Sequence, residues 1–140
     1  MKYIAIITMV LVLTWTGYGL AETPVDNTDN WLGGMEPQKA LEYMKERHKD
    51  GLVIVEVNTD YWKLKNGFKG AMHIPHDEME ARYNEIPSGK PVILHCGGGI
   101  VSVNAYNILM EKRKDIPQLS YIAGAPLVSS YNEWLASEGK

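Results

Sequence analysis

Apolar positions along the chain follow two spacings, one typical of buried strands and one typical of helices. Short, nearly continuous runs of β-branched and aliphatic residues predict strands covered on both faces. These runs are residues 52–57, 71–75, 91–95 and 118–122. Between them, apolar residues recur every three or four positions, which predicts helices over 37–48, 77–86, 102–112 and 128–136, with a short helical turn over 60–64. Strands that alternate with helices favour an α/β domain with a mainly parallel sheet.

The first 21 residues have the pattern of a secretory signal peptide. Lys2 precedes an apolar stretch from Tyr3 to Trp15, and small residues lead to a cleavage position after Ala21. The stretch is short for a transmembrane span. We therefore expect an exported protein, periplasmic or secreted, with no membrane contact after signal cleavage. An uncleaved membrane anchor is the alternative.

The remaining residues suffice for one domain. Residues 22–35 are rich in Asn, Asp, Thr, Gly and Pro, which predicts a flexible lead-in to a domain over 36–140. The net charge of −3 and the absence of a basic stripe argue against nucleic acid as a partner. We expect a monomer. With a single cysteine, Cys96, the chain has no internal disulfide, so this thiol is a reactive group, a modification site or an intermolecular partner.

Cys96 lies between a predicted strand and a predicted helix. The glycines that follow it give a loop whose amides lead into a helix N-terminus, where amides and dipole favour negative charge. The thiol should therefore ionise readily and act as a nucleophile, although an inert buried cysteine is the alternative. The predicted site consists of Cys96 with the substrate-binding residues Gly97, Gly98, Gly99, Ile100, Val101 and Ser102.

Four segments match, in order, the landmarks of one protein family. They are Glu56-Val57-Asn58, Phe68 to Pro75 with its Gly-Ala and Ile-Pro pairs, the loop Cys96 to Ser102, and Gly124-Ala125 with Trp134. In these features the chain resembles the single-domain rhodaneses, a sulfurtransferase family, over residues 37–135. The resemblance implies a three-layer α/β domain with a mainly parallel five-stranded sheet flanked by helices. It also implies a cysteine that carries sulfane sulfur as a persulfide.

The chain departs from the family at its arginines. Gly97 and Val101 replace the two arginines of the family's Cys-Arg-x-Gly-x-Arg loop, and Asn58 replaces the arginine of Asp-Val-Arg. Arginines bind anionic donors through charge-assisted hydrogen bonds, so thiosulfate should bind poorly. The glycine amides can still form an anion-binding nest.

Two functions are compatible with this loop. The first is a sulfurtransferase or sulfane-sulfur carrier that forms a persulfide on Cys96 and passes the sulfur to a small nucleophile or a protein thiol. The second is a catalytically inactive binding or sensing module that uses the apolar rim of Ile100 and Val101. A cysteine phosphatase is disfavoured, because Ser102 stands at the position of that motif's arginine.

Several other side chains carry structural expectations. Ser102 should be the N-cap of its helix, with a hydroxyl that can also donate to the Cys96 thiolate. His95 should pack or hydrogen-bond beneath the loop. Glu56 should lie at an exposed strand end or pair with a buried donor. His73 and His76 lack a third ligand at suitable spacing, so we expect neither a metal nor a cofactor. The tryptophans should pack in the core or at its edge; they are Trp31, Trp62 and Trp134.

Overall fold

The computed structural model describes residues 30–138. The predicted signal peptide, and the predicted lead-in as far as residue 29, lie outside the described residues. Within the described part, no helix is both long enough and apolar enough to span a bilayer.

Strands and helices alternate along the described chain. The strands are β1 (Trp31–Met35), β2 (Val53–Glu56), β3 (Met72–His73), β4 (Val92–His95) and β5 (Leu119–Ile122). The helices are α1 (Pro37–Arg47), α2 (Met79–Arg82), α3 (Ser102–Lys112) and α4 (Val128–Glu138). Single 3₁₀ turns span His48–Asp50, Asp60–Trp62 and Tyr83–Glu85. The strands form one five-stranded sheet in the order β1-β5-β4-β2-β3, and every pairing is parallel. The predicted α/β class and five-stranded sheet are confirmed.

The predicted lead-in is wrong at its C-terminal end, because Trp31–Met35 forms a strand of the sheet. This strand pairs with β5, and its glycines, which suggested a loop, lie within the sheet. A Cβ atom on Gly34 would lie 2.8 Å from Cζ of Tyr121. Gly33 has φ +67°, and its N–H donates to the Tyr106 hydroxyl at 3.1 Å.

The core lies in two layers, one on each face of the sheet. One layer packs under α2 and α3, and it includes Val55, Leu94 and Leu109. The other packs under α1 and α4, and it includes Ile93 and Met44. Because successive residues of a strand point to opposite faces, β4 needs apolar residues at consecutive positions. This explains the continuous apolar run that predicted the strand.

Arg113, which directly follows α3, ties that helix to the segment after α2. Its buried guanidinium donates to the carbonyl oxygens of Tyr83 at 2.6 Å and Ile86 at 2.7 Å. It also makes two hydrogen bonds of 2.8 Å to the Asp115 carboxylate. These bonds hold the pKa of Asp115 well below its usual range. The guanidinium therefore satisfies two carbonyl groups and one charge at once.

Arg113→Met should lower the free energy of unfolding by about 3 kcal/mol, because it removes short hydrogen bonds from two carbonyl groups and a carboxylate. Lys112→Met is the matched control. Among the described residues, Lys112 pairs with the exposed carboxylates of Glu80 and Glu111, so its loss should cost under about 1 kcal/mol. Urea denaturation of both variants measures the difference. Equal losses would show that the Arg113 contacts contribute nothing specific.

Candidate active site

The candidate site lies where β2 and β4 end side by side. The two strands are parallel neighbours with Glu56 opposite His95. The N–H of Val57 donates to the His95 carbonyl at 2.9 Å, which extends the pairing by one residue. Because parallel strands end at the same edge, Asn58 and Cys96 are brought together there.

The loop after β4 wraps its backbone around the Cys96 sulfur. The thiol is 3% exposed, and the N–H of Gly99 donates to Sγ at 3.0 Å. At the start of the loop, the N–H of Gly97 donates to Oδ1 of Asn58 at 3.1 Å. Backbone amides of the loop are thus directed at the Cys96 sulfur.

Gly99 packs directly against the backbone of the loop between β5 and α4. Its φ is +85°, and a Cβ atom there would lie 2.4 Å from the Gly124 nitrogen and 3.0 Å from the Ile122 carbonyl oxygen. Gly98, its neighbour, has open space at the same position. Of the two, only Gly99 is required by the packing.

Opposing effects act on the Cys96 thiol. Burial raises its pKa, but the Ser102 hydroxyl and the N–H groups of Ser102, Gly98 and Gly99 favour the thiolate and outweigh the burial. The resulting pKa lies below that of an ordinary cysteine. The main groups that favour the thiolate are therefore the dipoles of one hydroxyl and three backbone amides.

Ser102 is not the N-cap of α3, as the sequence predicted. The N-cap is Val101, which has φ −75° and ψ −16° and makes no capping hydrogen bond through its side chain. Ser102 is the first helical residue, and its hydroxyl is fully buried. The hydroxyl makes no hydrogen bond of good geometry within the described residues, yet it lies close enough to Cys96 to lower the thiol pKa.

Glu56 and Asn58 form a buried support for two walls of the site. Oε1 of Glu56 accepts hydrogen bonds from Nδ2 of Asn58 at 3.0 Å and from the N–H of Leu64 at 2.7 Å. Oδ1 of Asn58 in turn accepts from Gly97. One carboxylate thus connects the cysteine loop to the segment after β2. Of the two predictions for Glu56, pairing with a buried donor is confirmed.

A pocket of about 330 Å³ opens over Cys96. It is lined by Asn58, Trp62, Leu64, Cys96, Gly97, Gly98, Ile100 and Val101. Gly99 and Ser102 do not line the pocket. They interact with Cys96 instead, since Gly99 donates its N–H to the sulfur and Ser102 lowers the thiol pKa.

The first three lining residues were missed as site residues in the sequence. Asn58 could have been found, because it follows a strand that neighbours the cysteine strand. Trp62 was expected to pack in the core or at its edge, and this is wrong, since it is 69% exposed. Trp62 ends the 3₁₀ turn over Asp60–Trp62, and Leu64 follows it. The local pattern predicted a helical turn here, but it does not show that the turn lies beside Cys96.

The neighbouring histidines have structural contacts. Burial lowers the pKa of His95 to about 4, while the charge of Glu56 opposes the shift, so the ring is neutral near pH 7. As predicted, it packs beneath the loop, with its ring centroid 4.8 Å from that of Phe68. Neither ring nitrogen has a hydrogen-bond partner among the described residues.

Nε2 of His73 lies 2.7 Å from the Asn58 carbonyl oxygen. Within residues 30–138, no group of three ligating side chains is placed to hold a metal.

Comparison with known proteins gives one family and several distant structures. The family model described as "Rhodanese-like domain" matches residues 39–137. No curated protein matches the chain significantly. A rhodanese-related protein from Thermoplasma volcanium has a TM-score of 0.54 and 15% identity, over 72% of this chain and 91% of that chain.

Two further structures have similar scores. The reduced Bacillus anthracis CoADR-RHD has a TM-score of 0.54 and 22% identity, over 66% of this chain and 15% of that much longer chain. A Rhodopseudomonas palustris protein of unknown function, described as a possible tyrosine phosphatase, has a TM-score of 0.53 and 14% identity, over 77% of this chain and 83% of that chain. At these identities, the likeness concerns the fold alone.

Gly99→Ala should destabilise the protein by at least about 2 kcal/mol, since it adds a strained positive φ to a backbone clash. Gly98→Ala, the matched control, should change the free energy of unfolding by less than about 1 kcal/mol. Urea denaturation compares the two variants. Similar stabilities would contradict the packing argument.

The rate of Cys96 alkylation by iodoacetamide should rise with pH to a midpoint below that of an unperturbed thiol, because the thiolate is the reacting form. Ser102→Ala should move this midpoint to higher pH, since it removes a group that lowers the pKa. Ser120→Ala is the control, because it removes an equally buried hydroxyl from β5. If both variants kept the wild-type midpoint, the role assigned to Ser102 would be wrong.

Proposed function

Because the chain belongs to the rhodanese-like domain family, we propose that it is a sulfane-sulfur carrier or sulfurtransferase that holds the sulfur on Cys96. The observation that carries this proposal is the position of the thiol. Its sulfur receives an N–H from Gly99 at 3.0 Å and lies at the base of an open pocket. A depressed pKa supplies the thiolate that such chemistry needs.

The first half-reaction loads the cysteine. The Cys96 thiolate attacks the outer sulfur of a donor R–S–S⁻, and a new S–S bond forms on Cys96. The donor's own S–S bond breaks, and its electron pair leaves with R–S⁻. The product is a persulfide anion on Cys96, which the loop amides are placed to receive.

The second half-reaction unloads it. A nucleophile such as cyanide, a small thiolate or a protein thiolate attacks the outer sulfur of the persulfide. The electron pair of the Cys96 S–S bond returns to Cys96, and the thiolate is regenerated. No cofactor takes part in either step.

Thiosulfate should be a poor donor for this site. It carries two negative charges, and none of the side chains that line the pocket is cationic. Backbone amides can hold one persulfide anion, but they supply less binding energy to a dianion than a bidentate arginine would. A polysulfide or an organic persulfide fits the site better.

We also propose that the protein acts outside the cytoplasm as a monomer, in the periplasm or as a secreted protein. The support for export is the signal-peptide pattern over residues 1–21. The proposed partners are a small sulfur-containing substrate or a protein thiol.

A binding or sensing module remains the second candidate. The observation that favours it is the exposure of Trp62 and Ile100 at the pocket mouth. A module of this kind needs the surface but not the thiol.

Intact-mass measurement after exposure to polysulfide should show the gain of one sulfur atom in the wild type and none in Cys96→Ser. Thiosulfate should load the wild type more slowly, because the pocket holds no cation. Cys96→Ser keeps the size of the side chain and removes the nucleophile, so it is the matched control. A folded wild type with a titratable thiol and no sulfur gain from either donor would instead support the binding module.

A further inference from the structure

The described residues include four exposed large apolar side chains, which are Tyr61, Trp62, Ile100 and Val103. Trp62 is 69% exposed and Ile100 is 82% exposed, and both line the Cys96 pocket. The Tyr61 ring packs edge-on against that of Trp62, with 4.9 Å between the ring centroids. Val103 lies in the first turn of α3. Since exposed apolar side chains at a pocket favour apolar ligands, the rim formed by Trp62 and Ile100 indicates the kind of substrate that binds there.

The pocket walls offer no ionic partner. Apart from the thiol, the polar side-chain groups of the lining residues are the uncharged amide of Asn58 and the indole N–H of Trp62, and both ends of the Asn58 amide are engaged. Nδ2 donates to Glu56, and Oδ1 accepts from Gly97. Lys63 and Lys65 flank Leu64 in sequence, but neither lines the pocket. The walls therefore match an uncharged, apolar group, and the anion-binding groups are confined to the base of the pocket.

We infer that the sulfur donor carries an apolar organic group on the atom bonded to its sulfane sulfur, and that Trp62 and Ile100 select for this group. This inference rests on the proposed function and specifies its donor. The sulfane sulfur faces Cys96 and the loop amides, while the organic group lies on the apolar wall. The volume of about 330 Å³ is at the small end of ligand pockets, and it accommodates an aromatic ring or a short alkyl chain.

Thiosulfonates provide matched probes for this inference. In benzenethiosulfonate and methanethiosulfonate, the Cys96 thiolate attacks the outer sulfur, and the S–S bond breaks. The electron pair leaves with the sulfinate, and a persulfide anion remains on Cys96. Both probes carry a single charge and the same reacting atoms, so they differ in the apolar group and in intrinsic reactivity. Dividing each rate of Cys96 loading by the rate at which the same probe reacts with free 2-mercaptoethanol corrects for the difference in intrinsic reactivity.

The normalised loading rate should be about tenfold higher for benzenethiosulfonate than for methanethiosulfonate, because the ring buries more apolar surface against the wall. Trp62→Ala and Ile100→Ser should each lower this ratio towards one. Val103→Ser is the control, since Val103 is an exposed valine near the loop that does not line the pocket. It should keep the wild-type ratio.

The outcomes separate the inference from the proposed function. If both thiosulfonates load Cys96 with a normalised ratio near one in the wild type, the donor inference is wrong and the sulfur-carrier function stands. The same conclusion follows if the ratio is high but unchanged in Trp62→Ala and Ile100→Ser. If neither probe nor polysulfide loads a folded wild type, the proposed function itself fails, and the inference fails with it.

Discussion

The close contact between Gly99 and the backbone of residues 122–124 is the constraint on which the site depends. Because a Cβ atom at Gly99 would lie 2.4 Å from the Gly124 nitrogen, the loop can take this path only without a side chain there. That path places the Gly99 N–H on the Cys96 sulfur. It also fixes where α3 begins, so that the Ser102 hydroxyl lies next to the thiol. The chemical character of the cysteine thus follows from a backbone packing contact.

Asn58 shows how the site is built without arginine. Its side chain joins the buried Glu56 carboxylate to the first amide of the cysteine loop, so it supports the loop and leaves no charge in the pocket. A cation at this position would pair with Glu56 or with an anionic donor. The neutral amide forms no ion pair, and the main groups that lower the thiol pKa are the Ser102 hydroxyl and the loop N–H groups. Such a site favours the negative charge on one sulfur atom but gives a dianion no ion pair.

The sequence predicts most of the fold but only part of the site, because the two depend on interactions of different range. The Cys96 loop and α3 were predicted from local signals, namely an apolar run, three glycines and a helical repeat. The strand at Trp31–Met35 was missed because Gly34 packs against Tyr121, a residue far along the chain, and local patterns do not show this contact. Trp62 was misjudged for a similar reason. Its position beside Cys96 is set by the hydrogen bond from Leu64 to Glu56, which local periodicity does not reveal.

Burial protects the Cys96 thiol, and the open pocket gives a partner access to it; the proposed sulfur transfer needs both. Cys96 is almost fully covered, which limits the access of oxidants to the resting thiolate. In the proposed persulfide, the added sulfur would lie one bond beyond Cys96, in the pocket that Trp62 and Ile100 line. Under that proposal, the outer sulfur is the atom that an acceptor meets first and the atom to be transferred. The apolar rim also favours partners that lose their hydration water when they bind at the pocket mouth. The exclusion of water there would favour a reaction between two sulfur atoms.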